Sequence, residues 1–198
     1  MNWYKKAQFD SLERLIKPDD RLVLSEHERI EFRDVSGSQG INMKPKGLWY
    51  GCGLAWFEWC AMEMPHWLKG NVFKLELNTS RMLLLKTGEE LLEFSGVYGV
   101  DQFRMGSVDG IDWSRVASKY SGIEICPYQG GLRMDSRTSW YYSWDVASGC
   151  VWGSDAVIGA TRITRSIHSD PKVRGLVEER EEMKRSWGNP FEEEVEEV

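Results

Sequence analysis

Apolar and polar residues alternate most regularly between Asn71 and Asn78, where Phe73, Leu75 and Leu77 are interleaved with Lys74, Glu76 and Asn78. A period of two places the two sets on opposite faces of a strand, so this segment is predicted to be β with one face buried. Shorter runs of the same kind at residues 21–25, 29–33 and 122–127 predict further strands. In the last of these, Ile123 and Ile125 point one way and Glu124 the other. Residues 47–51 read as a buried strand. Aromatic and β-branched residues make 140–146 and 151–163 strand-like, with Ala147, Ser148 and Gly149 between them as a turn.

Helical patterns are fewer and shorter. Residues 3–17 carry an approximate apolar face that stops before Pro18, and residues 54–64 are rich in helix-compatible side chains and end at Pro65. Thr87 and Glu90 have the spacing of a capping box, in which each side chain satisfies a free backbone N–H at the start of a helix running to Phe94. Asp112 is placed to cap a second helix ending near Tyr120. Ser169, Asp170 and Pro171 open a charged helix over 172–187. The glycine- and serine-rich residues 34–42 have the composition of a mobile surface loop.

A chain of 198 residues with 41% hydrophobic content buries enough surface for one substantial core. The expectation is a single α+β domain over 1–190 followed by an acidic C-terminal tail at 191–198, too poor in apolar residues to order itself. The longest apolar stretches are far shorter than a bilayer span, and the N-terminus has no secretory pattern, so a cytoplasmic protein without membrane attachment is expected. Net charge of −6 argues against broad adhesion to nucleic acid or anionic lipid, while leaving room for a local basic site. The four cysteines and three histidines have spacings that match no zinc module, and no metal site is expected. Walker, dinucleotide-fingerprint and zinc-protease motifs are absent.

The candidate chemistry lies in two aromatic runs. Lys44, Pro45, Lys46 and Gly47 form a loop leading into Leu48, Trp49, Tyr50 and Gly51. Adjacent rings on a strand face opposite ways, so one enters the core and the other is free to line a cleft. The second run contains Arg133, Arg137, Trp140, Tyr142, Trp144 and Asp145. It is either a stacking and phosphate-gripping surface or a dense core. Glu124 is open to two readings as well: a carboxylate held toward a cleft by its buried neighbours, or a glutamate facing water.

The order Gly47, Leu48, Trp49, Tyr50, Gly51, then a helix ending near a cysteine, then an alternating strand and an aliphatic one, resembles the central region of ADP-ribosyltransferases of the diphtheria-toxin and poly(ADP-ribose) polymerase type. Residues 44–49 and 120–128 are also similar to KPxGLW and YxGIExxPY segments of uncharacterised phage-type proteins. The resemblance implies a split two-sheet, mostly antiparallel β core with short flanking helices, and a transferase that cleaves NAD as substrate and passes ADP-ribose to a macromolecular acceptor, protein or nucleic acid. It implies Glu124 as the catalytic carboxylate, with His27, Lys46, Trp49 and Tyr50 around the dinucleotide. Glu124 and Trp49 are then expected to flank one pocket. The alternatives are a non-enzymatic, tryptophan-rich binding module for nucleic acid or protein, or a phage accessory or structural protein.

Overall fold

The computed structural model describes residues 16–164, together with positions 175, 178 and 182, which are helical. Nearly all of the helix expected at 3–17, the rest of the helix expected at 172–187, and the tail at 191–198 lie outside the described residues.

The chain is α+β. Among the described residues ten strands, β1 (Arg21–Ser25), β2 (Ile41–Asn42), β3 (Leu48–Cys52), β4 (Asn71–Leu77), β5 (Met82–Leu85), β6 (Gly99–Val100), β7 (Gly110–Asp112), β8 (Gly122–Ile125), β9 (Ser148–Val151) and β10 (Val157–Thr164), form two sheets. The larger has the order β10-β4-β1-β3-β9-β8-β5, and the smaller the order β2-β7-β6. Every pairing is antiparallel except that of β5 with β8. Helices α1 (Ala55–Glu63), α2 (Gly88–Tyr98) and α3 (Trp113–Ala117) accompany them.

Local chemistry accounts for most of these boundaries. In β4 the side chains of Phe73 and Leu75 are buried while Lys74 and Glu76 are exposed, as alternation requires. The capping box opens α2: Thr87 Oγ1 accepts from the Glu90 N–H at 3.2 Å, and Glu90 Oε2 accepts from the Thr87 N–H at 3.0 Å. Asp112 Oδ1 caps α3 by accepting from the Arg115 N–H at 3.2 Å.

Five segments depart from the expected pattern, one of them residues 151–163, where the 3-10 turn Ser154–Ala156 separates β9 from β10. Residues 140–146 are not a strand; they belong largely to a 3-10 segment, Ser136–Ser143, whose start Asp135 caps. Trp140, Tyr141 and Trp144 are buried there and Tyr142 is 53% exposed, so the alternating ring face predicted for a strand does not form. Residues 147–149 are not a turn: Ser148 and Gly149 lie within β9, in the interior of the large sheet. Residues 29–33 make no ladder; Ile30 and Phe32 instead pack against one face of the sheet. Finally, residues 34–42 are tied down, with the Val35 N–H donating to the Trp152 carbonyl at 2.9 Å and the Trp113 N–H to the Gly40 carbonyl at 3.2 Å.

The two faces of the large sheet bury different cores. Val23, Tyr50, Cys52, Phe73 and Val151 share one face, with Ile30 and Phe32 against them. On the other, Ile123, Ile125 and Cys150 meet Trp113, Trp140, Trp144 and Trp152, while α1 packs Phe57 and Cys60 beside Leu22. Among the described residues no helix is long and apolar enough to cross a membrane.

Candidate functional site

Register decides which candidate residues meet. Tyr50 on β3 lies opposite Gly149 on β9, which lies opposite Glu124 on β8. The three therefore share a face, and the Tyr50 hydroxyl reaches over Gly149 to donate to Glu124 Oε2 at 2.8 Å. A Cβ on residue 149 would stand 2.3 Å from the Tyr50 ring carbon and hydroxyl, so the crossing requires glycine. Arg21 completes the arrangement, with Nε donating to Glu124 Oε2 at 2.6 Å and Nη2 to Oε1 at 3.1 Å. This is a bidentate ion pair on a carboxylate only 9% exposed.

The group polarises its members. Burial opposes the Arg21 charge, but the hydrogen bond and attraction of Glu124 outweigh it and hold the guanidinium above the usual arginine value. Burial, reinforced by the Glu124 charge, pushes the Tyr50 phenol well above the usual tyrosine value and the Cys52 thiol up as well. Glu124 is thus neither a solvent-facing glutamate nor an open carboxylate: both oxygens are engaged.

Trp49, one residue from Tyr50, points the other way. It lies opposite Cys150, and Cys150 opposite Ile123, on the sheet face that carries the tryptophan core. The expectation that Glu124 and Trp49 flank one pocket is not met, because neighbouring strand positions face opposite sides and the register pairs Glu124 with Tyr50.

A cavity does lie beside Trp49. β1 and β3 share only two pairs, Arg21 with Cys52 and Leu22 with Gly51. Beyond them β1 stays with β4 and β3 stays with β9, so the seam opens into a fork. A pocket of about 270 Å³ occupies it, walled by Leu22, Leu24, Trp49, Trp56 and Trp144, with Lys44 and Asp145 contributing charge. Lys44 Nζ sits 5.2 Å from the Trp49 ring centroid, and the Trp49 and Trp144 rings meet edge to face at 4.8 Å.

Two features mark this pocket chemically. Asp145 lines it and is held by Arg133 Nη2 through a 2.9 Å bond to Oδ1. Trp144, although fully buried, carries the only buried side-chain polar atom without a hydrogen-bond partner among the described residues, its indole Nε1. The other large buried indoles are satisfied: Trp113 donates to the Asn42 carbonyl, Trp140 to Ser95 Oγ and Trp152 to the Tyr120 carbonyl. An orphan donor in a well-packed core costs about 1–3 kcal/mol.

No family model, curated protein or solved structure matches the chain. The site therefore stands on its own geometry.

Of the residues expected around a dinucleotide, Trp49 is at the fork, with Tyr50 contributing to the same wall although its ring turns to Glu124. His27 is exposed in the bend after β1, where its N–H donates to Ser25 Oγ and its carbonyl accepts from Asn71 Nδ2. Lys46 is exposed and serves the neighbouring loop: its ammonium donates to the Ser38 carbonyl at 2.9 Å, and Gln39 brackets its backbone. Arg133 and Arg137, read as phosphate-gripping candidates, are engaged by Asp145 and Asp135. Sequence reasoning gave Arg21, Lys44 and Trp56 no role in the site. Lys44 had a visible signal, since it opens the same loop as Lys46; the roles of Arg21 and Trp56 depend on long-range pairing. No group of three or more His, Cys, Asp or Glu is placed to hold a metal among the described residues.

Proposed function

We propose that the fork between β1 and β3 binds the nicotinamide-ribose end of NAD, and that the chain is an ADP-ribosyltransferase-like enzyme acting on a macromolecular acceptor. An aromatic pocket walled by Trp49, Trp56 and Trp144, with the Asp145 carboxylate in its lining, carries this reading. A planar carboxamide heterocycle supplies a face for the Trp49 and Trp56 rings.

The resemblance to ADP-ribosyltransferases is compatible with a seam that splits between two central strands. Breaking the nicotinamide–ribose bond sends the bonding electron pair to nicotinamide, which departs neutral, and leaves positive charge on the sugar. A carboxylate beside the sugar stabilises that charge. Asp145 is the carboxylate lining the pocket, and Arg133 holds it in orientation. A nucleophile from the acceptor then bonds to the anomeric carbon and loses its proton. Glu124 acts in this reading as a positioning residue, fastening β1 to β8 at the root of the fork through Arg21.

The test is nicotinamide release from NAD, followed chromatographically for the wild type and for Asp145→Asn. The reading expects release by the wild type and a loss of about a hundred-fold in the variant. Binding of NAD without release would favour the binding-module alternative, and equal release by both proteins would remove Asp145 from the mechanism.

A further inference from the structure

The fork pocket is small for a whole dinucleotide, being slightly below the usual range of ligand cavities, about 300 to 1,000 Å³. A second compartment adjoins it. Trp56 stacks on Trp59 with ring centroids 5.1 Å apart and planes 15° from parallel, and Trp67 stands 6.0 Å from each. Trp67 is 45% exposed. An indole left half in water at the edge of an aromatic cluster offers a ready stacking face.

Trp56 and Trp67 line an open groove of about 440 Å³ with Leu24, Glu26, His66 and Lys69. Leu24 and Trp56 also wall the fork pocket, so the two compartments are neighbours. The two other principal cavities, one beside Phe103 and Tyr142 and one beside Pro18 and Gly53, share no residue with the fork.

We propose that this groove is a nucleobase-stacking subsite that takes the purine nucleotide half of the dinucleotide whose other half occupies the fork. The identity of the linked half rests on the function proposed above; the purine site itself does not. Base stacking on an indole is strong and tolerant of ring identity, which suits an exposed platform such as Trp67. The charges of the groove are complementary to an adenine nucleotide. Glu26 supplies an acceptor for an exocyclic amine, and Lys69 and His66 supply donors for a phosphate. The shared lining residues Leu24 and Trp56 place the two compartments next to each other, as a ligand with two linked rings requires.

The experiment uses AMP as probe, with the intact chain and with Trp67→Ala and Trp67→Phe, followed by calorimetry. AMP is expected to bind the wild type, to bind Trp67→Ala about ten-fold more weakly, and to regain most of its affinity in Trp67→Phe, which restores a stacking face. Nicotinamide mononucleotide added to the AMP complex is expected to leave AMP in place. No AMP binding by the wild type, unchanged affinity in Trp67→Ala, or displacement of AMP by nicotinamide mononucleotide would each overturn the subsite. If AMP behaves as expected and nicotinamide mononucleotide does not bind, the purine subsite stands and the NAD reading fails. If nicotinamide mononucleotide binds and AMP does not, the reverse holds.

Discussion

The Tyr50 hydroxyl donates to Glu124 Oε2 across the bare backbone of Gly149, joining β3 to β8 over the strand between them. Arg21 binds the same carboxylate from β1, so a single acidic side chain links three strands of the large sheet. The link lies where the ladder between β1 and β3 ends and the fork begins. Buried ion pairs contribute little net stability when intact, because desolvation offsets attraction, but removing one partner strands the other. The arrangement fixes the geometry of the fork more than it adds to overall stability.

Glu124→Gln tests that account. The amide keeps the size and loses the charge, leaving the Arg21 guanidinium largely buried without a counter-ion. Loss of about 2–3 kcal/mol is expected in urea unfolding, below the 3–5 kcal/mol of a fully buried pair because Arg21 retains partial contact with water. A change below about 0.5 kcal/mol would show that the pair is not maintained in solution.

Gly149→Ala addresses the same crossing from the backbone side. The added methyl would lie 2.3 Å from the Tyr50 ring and 2.7 Å from the Ile123 carbonyl, so Tyr50 must move and release Glu124. Overpacking of this kind costs about 1–3 kcal/mol. In a Tyr50→Phe background, where the hydroxyl is already gone, the penalty of Gly149→Ala is expected to shrink; equal penalties in both backgrounds would disconnect the glycine from the hydrogen bond.

Legibility of this architecture in the sequence follows the range of the forces involved. The alternation of β4, the capping box of α2 and the Asp112 cap of α3 are set by residues within one or two turns of each other, and the sequence pattern locates them. The opposite orientations of Glu124 and Ile123, and of Trp49 and Tyr50, are equally local. Which of those faces coincide depends on register between strands 74 residues apart, and no local pattern encodes it. Gly149 reads as a turn residue because close approach and chain reversal both select glycine. Trp140, Tyr141 and Trp144 have helical spacing as well as strand-like composition, and the Asp135 cap with tertiary burial favours the former. The fork itself is a point where a ladder stops, which has no signature in composition.

The loop at residues 34–42 makes stability depend on acidity. Asp34 accepts from the Ser154 N–H at 2.9 Å and the Ser36 N–H at 3.0 Å, and these bonds hold its carboxyl at about 2. A carboxyl with a folded value below its unfolded value of about 4 contributes stability that is present above pH 4 and is lost as pH falls toward 2. Urea midpoints measured between pH 6 and pH 2 are therefore expected to fall less steeply below pH 4 for Asp34→Asn than for the wild type. Parallel curves would mean that Asp34 does not hold the loop through these bonds.

The central claim is that the fork walled by Trp49, Trp56 and Trp144 binds the nicotinamide end of NAD. The most direct measurement follows the indole N–H resonances during titration with NAD, with Trp144 assigned through Trp144→Phe. A ring seated against the pocket wall is expected to shift the Trp144 signal more than those of Trp113 and Trp152, which do not line the fork. Saturating NAD that leaves the Trp144 resonance unmoved would contradict the account.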